Sequence, residues 1–328
     1  YSVITATGAT PADLASTAVT SITRTFNSLY AASTDADNAG YLNAANHVGN
    51  NYQLNLACYA DGEDTNVNDM YFWQWATGAN NYVKIYTPIL SSEVGVTQRY
   101  NGTWTTGYRR TARLDLPVHS HLDGIATTDG PLVMQNLRDV KISNCVVHIS
   151  NTNSSDALNA VNQYGEPGGP LTAKIWNTIF VNEYVAAGGD DGISFYDYGD
   201  GLAMYIYNCT IFTNAGRAID PGGNADVYVT NTIAISTAEA SAIYGGHGGA
   251  ITVNNSATND DTADDFGGTG NRINQTFSFV GSGDYHLTPS DTGARNFGTD
   301  LSADAIIPFT TDIDGDVRPG QTAWEIGA

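Results

Sequence analysis

An all-β solenoid is the fold class this sequence predicts, and three observations predict it. A short phrase recurs along the chain: Val140-Lys-Ile-Ser-Asn144-Cys, Ala173-Lys-Ile-Trp-Asn177-Thr, Met204-Tyr-Ile-Tyr-Asn208-Cys, Val227-Tyr-Val-Thr-Asn231-Thr and Ile251-Thr-Val-Asn-Asn255-Ser. The Asn residues stand 33, 31, 23 and 24 positions apart, the length of one structural repeat and not of a domain. Further on, Leu158, Ile193, Ile219 and Ile243 follow their Asn by 14, 16, 11 and 12 residues. Three short strands per repeat, joined by Gly-rich corners, make one coil of a parallel β-helix.

Each element of the repeat has a physical reason. Two positions before the Asn stands Ile142, Ile175, Ile206, Val229 or Val253, and one position after it a small residue. The positions at minus three and minus one vary freely. Fixed aliphatics alternating with free positions mark a strand with one buried face. Asn is depleted in strands, but it tolerates the left-handed backbone of a sharp bend and its amide can bond a neighbour. Stacked coil over coil, such amides form a ladder. The phrase therefore reads as strand, Asn bend, strand.

Composition narrows the partners. Thirteen basic against thirty-four acidic residues give a net charge of −21, which repels phosphate backbones and argues against nucleic acid. The only lysines are Lys84, Lys141 and Lys174, all in predicted strands. No apolar run reaches the length of a membrane span. Cys145 and Cys209 fill the small slot after the bend, and Cys58 reads alike, so the three cysteines are packing residues.

In chain order, Thr10-Pro11-Ala12-Asp13 starts a helix that runs through Ala32, with Leu14, Ile22 and Phe26 on its apolar face. Within a lead-in over 1–50, that helix is expected to cap the open first coil. The β-helix proper is expected over 51–258, with about eight coils spanning roughly 35–40 Å. Its early coils lack the Asn and carry two long aromatic insertions, around Tyr71–Trp75 and Tyr100–Trp104. Over 259–328 the repeat decays into an irregular, partly β capping segment.

The Asn-bend pattern resembles the right-handed parallel β-helix proteins of the pectate-lyase-like superfamily, in which stacked Asn marks the bend between the second and third strands. The ending Thr311-Asp-Ile-Asp-Gly-Asp-Val-Arg-Pro319 through Trp324-Glu-Ile-Gly-Ala328 resembles the C-terminal segment of extracellular bacterial and phage-borne β-helix proteins. Gly189-Asp-Asp191 and Gly246-His-Gly248 are similar to fragments of polygalacturonases. Their spacing is two coils instead of one, and the flanking motifs of that family are missing, so its mechanism is not carried over.

The resemblance implies a sugar-binding groove beside the strand that bears Ile193, Ile219 and Ile243. There Asp191, Arg217 and Asp220 are the candidate catalytic residues, with Tyr244 and His247 at the rim. Two carboxylates on adjacent coils suit the acid and base of a glycoside hydrolase. Asp residues on Ca²⁺ with Arg217 as base would instead resemble a polysaccharide lyase. The simpler reading is that corners need turn residues and solvent-facing charge. An offset of three positions on neighbouring strands puts the Asp191 and Asp220 Cα atoms about 11 Å apart, so these side chains are expected not to converge. A second candidate surface is the aromatic ladder of Trp176, Tyr205, Tyr207 and Tyr228, suited to a protein or a sugar. Asp312, Asp314 and Asp316 resemble the front of a calcium loop that lacks its remaining ligands, so Ca²⁺ is the one cofactor considered and none is required. The leading expectation is a non-catalytic structural or adhesive protein of an extracellular or virion surface. Its partners would be other subunits of an assembly, copies of itself, or surface polysaccharide. The alternative is a secreted polysaccharide lyase or glycoside hydrolase.

Overall fold

The computed structural model describes residues 24–70, 75–90, 97–100, 105–135, 137–150, 156–162, 171–185, 190–198, 201–238, 241–246, 248–281, 283–318 and 323–328. Among them, three long parallel sheets stack in register, in a β-solenoid-like architecture compatible with a parallel β-helix. Each turn of the chain visits the sheets in the same order. Val140–Ser143 belongs to an eight-stranded sheet, Val146–Ile149 to a seven-stranded sheet and Leu158–Asn162 to a five-stranded sheet. The next turn repeats this with Thr172–Trp176, Ile179–Asn182 and Ile193–Asp197.

Alternation sets the core. In the eight-stranded sheet Leu122, Ile142, Ile175, Ile206, Val229 and Val253 share one register column and are all fully buried. The bend follows: Asn144, Asn177, Asn208, Asn231 and Asn255 have φ between 45° and 51°, the left-handed region that Asn enters most readily. One turn earlier the same place holds Gly124, φ 75°, where a Cβ would lie 2.2 Å from Thr87 Oγ1. The small residue after the bend is buried, and its hydroxyl accepts a backbone N–H from the turn before. Thr178 Oγ1 takes Cys145 N at 3.4 Å, and Thr232 Oγ1 takes Cys209 N at 3.3 Å. Cys145 and Cys209 occupy this slot as packing residues, their thiols pushed up to about 12 by burial.

The seven-stranded sheet is buried on both faces. Phe180, Ile211 and Ala234 point into the core, while Ile179, Val181, Ile233 and Ile235 point outward and are buried too. Their cover is the C-terminal segment. The hairpin Phe279–Gly281/Asp284–Leu287 lays Phe279 and Tyr285 over Phe212, and Ile313 and Ile326 close the same face.

At the N-terminus a helix spans Leu29–Asp35. Ser28 caps it, its Oγ accepting Ala31 N at 3.0 Å, and Leu29 N donates to the buried Asp64 Oδ2 at 2.8 Å. The helix expected to run from Pro11 through Ala32 is therefore corrected: residues 24–28 are not helical, and Phe26 precedes the cap. Ser28 prefers to bond a turn of backbone, which starts a new helix instead of continuing one. Leu14 and Ile22 lie outside the described residues. At the other end Ala263, Phe266 and Ile273 pack onto the last turn of the core.

Candidate functional site

On the five-stranded sheet, Leu158, Ile193, Ile219 and Ile243 are in register and buried. Two residues before them stand Asp156, Asp191 and Arg217 at one corner, and one residue after them Asn159, Ser194, Asp220 and Tyr244 on the outer face. The corner is held by carboxylates. Asp156 Oδ1 accepts Asp191 N at 2.8 Å, and Asp191 Oδ1 accepts Arg217 N at 2.6 Å. Gly216 is required beside this bond, since a Cβ there would lie 2.4 Å from Asp191 Oδ1. Arg217 reaches Asp220 Oδ2 at 3.2 Å and lies 3.6 Å over the Tyr244 ring.

Asp191, Arg217, Asp220 and Tyr244 thus form one cluster, against the expectation that they stay apart. Asp191 leans along the corner toward the next turn to satisfy Arg217 N, which brings its carboxyl against that of Asp220. Burial is the first reason the Asp191 carboxyl is pushed up to about 8, and repulsion from Asp220 and Asp156 adds to it. Among the described residues Asp220 Oδ1 is buried with no donor. Burial also raises Asp156 and Asp115, the latter opposed by a two-point contact from Arg113 at 2.5 and 2.9 Å.

Beside this cluster a cleft of ≈ 400 Å³ opens on the sheet, lined by Arg113, Gln135, Asp156, Asn159, Val161 and Asp190 among others. Sequence reasoning missed Asp156. The signal was present, since Asp156 precedes Leu158 by the same two positions that separate Asp191 from Ile193. His247 lies outside the described residues.

The aromatic ladder has a different environment. Tyr205 and Tyr228 stack at 4.9 Å and 13°, with Tyr207 edge-on to Tyr205. Leu301, Ile307, Phe309 and Trp324 from the C-terminal segment pack over these rings and Trp176. The strip expected to await a partner is largely covered by the chain itself. The bend beside it is covered too: Asn177 Nδ2 donates to Thr311 O at 2.8 Å, Asn208 Nδ2 to Gly327 O at 3.0 Å and Asn231 Nδ2 to Thr299 O at 2.8 Å.

Two of the three aspartates of the resembled calcium loop are engaged within the chain. Asp312 Oδ1 accepts Asp314 N at 3.1 Å and Asp316 N at 2.9 Å, which closes a local turn. Asp314 Oδ2 lies 2.8 Å from His286 Nε2. Among the described residues no three His, Cys, Asp or Glu side chains are grouped to hold a metal ion, and no helix is long and apolar enough to cross a membrane. Comparison with protein-family models, with curated proteins and with solved structures finds no match.

Proposed function

We propose that the chain is a non-catalytic structural or adhesive protein working outside the cell or on a virion surface. In this reading it is a right-handed parallel β-helix of about eight coils, of the pectate-lyase-like type, and it meets other subunits or surface polysaccharide. One observation carries the reading: the two carboxylates that line the corner, Asp156 and Asp191, are committed to holding turns together. Asp156 and Asp191 bond the next turn's backbone, and Arg217 is divided between Asp220 and Tyr244. Asp191 is 6% exposed beneath this arrangement, whereas a general acid must reach the oxygen it protonates.

A second reading is supported by the same pair. A carboxyl raised to about 8 beside a second carboxyl paired with Arg217 resembles an acid and its partner base. A panel of neutral and acidic polysaccharides, with and without Ca²⁺, separates the two by release of reducing ends or unsaturated product. No turnover is expected. Turnover that disappears in the Asp191→Asn/Asp220→Asn double variant would overturn the non-catalytic reading.

A further inference from the structure

All three lysines of this strongly acidic chain fall in a single register column. On the outer face of the eight-stranded sheet the column reads Lys84, His121, Lys141, Lys174, then Tyr205 and Tyr228. Nothing in the repeat demands this, because the position is free of core packing in every turn. Four neighbouring strands at about 4.8 Å each set the basic part of the column out over roughly 14 Å, at right angles to the strands. The ammonium groups are held lightly. Lys84 Nζ lies 4.6 Å over the Tyr86 ring, Lys141 Nζ is 3.2 Å from Asp139 in a pair about one-third exposed, and Lys174 Nζ donates to Ile306 O at 3.2 Å. His121 lies between two lysines and under Trp176, ring centroids 5.7 Å apart. Burial lowers it to about 4 against the opposing charges of Asp123 and Asp139, with Lys84 and Lys141 adding to the shift, so it stands as a neutral hydrogen-bonding group. The aromatic end of the column is covered by Leu301, Ile307 and Phe309. At the basic end the same segment touches Lys174 through Ile306 O, while Lys84, His121 and Lys141 are half-buried.

We propose that this basic column is a binding strip for a linear anionic polysaccharide, its carboxylate or sulfate groups set against Lys84, Lys141 and Lys174. A straight row of three cations, about 10 and 5 Å apart because neutral His121 stands between the first two, matches a linear polymer that carries repeated anionic groups. A folded protein partner fits less well, because lysine is depleted in interface cores and no large exposed apolar side chain lies in the row. The net charge of −21 does not prevent contact, since exposed charges more than about 8 Å away are largely screened at physiological salt. The inference rests on the adhesive reading above and gives that reading a ligand class and a face.

The test measures binding of polygalacturonate and dextran sulfate to the whole chain, with uncharged dextran as control. A Lys84→Gln/Lys141→Gln/Lys174→Gln variant is compared with an Arg24→Gln/Arg109→Gln/Arg295→Gln variant, which removes the same charge elsewhere. Thermal unfolding confirms that both variants fold. Expected are salt-sensitive binding of the anionic polymers, none of dextran, a loss of about tenfold or more in the lysine variant and little change in the arginine variant. Equal weakening in both variants, unaltered binding in the lysine variant, or no binding of either anionic polymer would overturn the strip. Salt-sensitive self-association that only the lysine variant abolishes would also overturn it and assign the face to a second copy of the chain. Cleavage of a bound polymer would instead overturn the adhesive reading, whatever the lysines do.

Discussion

Two corners of the solenoid solve the same problem with different chemistry. At the bend between the eight- and seven-stranded sheets the turns are joined by amides, Asn177 to Asn144 at 3.3 Å and Asn231 to Asn208 at 3.0 Å. At the corner leading into the five-stranded sheet they are joined by carboxylates, Asp156 to Asp191 N and Asp191 to Arg217 N. An amide both donates and accepts, so it can bond its own copy in the next turn at any pH. An ionised carboxylate only accepts. Burial raises Asp191 first, and stacking one carboxylate above another adds the repulsion of like charges. The amide corner is also covered by the C-terminal segment, whereas the carboxylate corner borders an open cleft. One corner is built for permanence, and the other is the only one of the two that titrates.

The largest expected effect comes from uncovering the amide corner. Removing residues 299–328 takes away the buried Leu301, Ile307, Ile313, Trp324 and Ile326. It exposes the aromatic strip and the part of the seven-stranded sheet's outer face that the hairpin does not cover, and takes one acceptor from each of three Asn amides. At about 1.5–3 kcal/mol per large buried apolar side chain, the lost burial is on the order of 10 kcal/mol as an upper estimate. Strong binding of an apolar dye and concentration-dependent association are expected. A truncated chain that stays monomeric and binds no dye would show that the cover is dispensable.

Next comes a single rung. Asn208 is fully buried at φ 49°, donates to Gly327 O and accepts from Asn231. Asn208→Ala takes one bond from each of two buried partners and forces a left-handed backbone, at a cost of about 3 kcal/mol in urea unfolding. Asn208→Gly keeps the loss of bonds and relieves the backbone, so it should cost about 1–2 kcal/mol less. Equal losses would mean that the bend conformation carries no strain.

The repeat was legible in the sequence because it is written by single residues with single reasons. Ile175 and Ile206 are aliphatic since they face the core, and Asn177 and Asn208 are Asn since φ is near +50°. The cover over the ladder was not legible, because Phe309 and Trp324 recur nowhere and no period connects them to Tyr205. Its trace lay in the strands it covers. Ile179-Phe-Val is a continuous apolar run, and Val146-Val-His-Ile149 is broken only by His148; such runs are the mark of a strand buried on both faces. The acidic cluster was half legible: its register could be counted, but the lean of Asp191 toward Arg217 N could not.

Asp191→Asn sharpens the contrast between the corners. The folded pKa of Asp191 stands above its unfolded value, so its protonation stabilises the fold fully below about pH 3.8 and that contribution is lost as pH rises through about 8. An Asn keeps an oxygen for Arg217 N and brings an N–H toward the unpaired Asp220 Oδ1. The variant should match the parent in acid, exceed it in stability at pH 8 and above, and show a flatter profile between. A parent and variant with parallel profiles from pH 4 to 9 would exclude Asp191 as the titrating group.

The smallest effect is expected where the C-terminal cover itself is latched. His286 sits between Asp284, 2.6 Å from its Nδ1, and Asp314, 2.8 Å from its Nε2, with Asp312, Asp316 and Arg318 in the same turn. Asp314 first, and Asp284 after it, lift the imidazole to about 9 against the opposing effect of burial. Here the sign follows from a histidine that gains anionic partners on folding. The stabilisation is complete below about pH 6.5 and is lost as pH rises through about 9. The ring is about a quarter exposed, so solvent screening holds the contribution to about 1 kcal/mol or less. His286→Gln should therefore leave the solenoid intact but raise amide exchange in the turn around residues 312–316 at pH 7. By pH 10, where the parent ring is neutral, the difference between the two proteins should close. Moderate salt should shrink it at pH 7 while leaving the Asn208 variants unchanged, since their bonds are buried and uncharged. A pH 7 difference that persists undiminished at pH 10 would mean that the ring acts by packing alone.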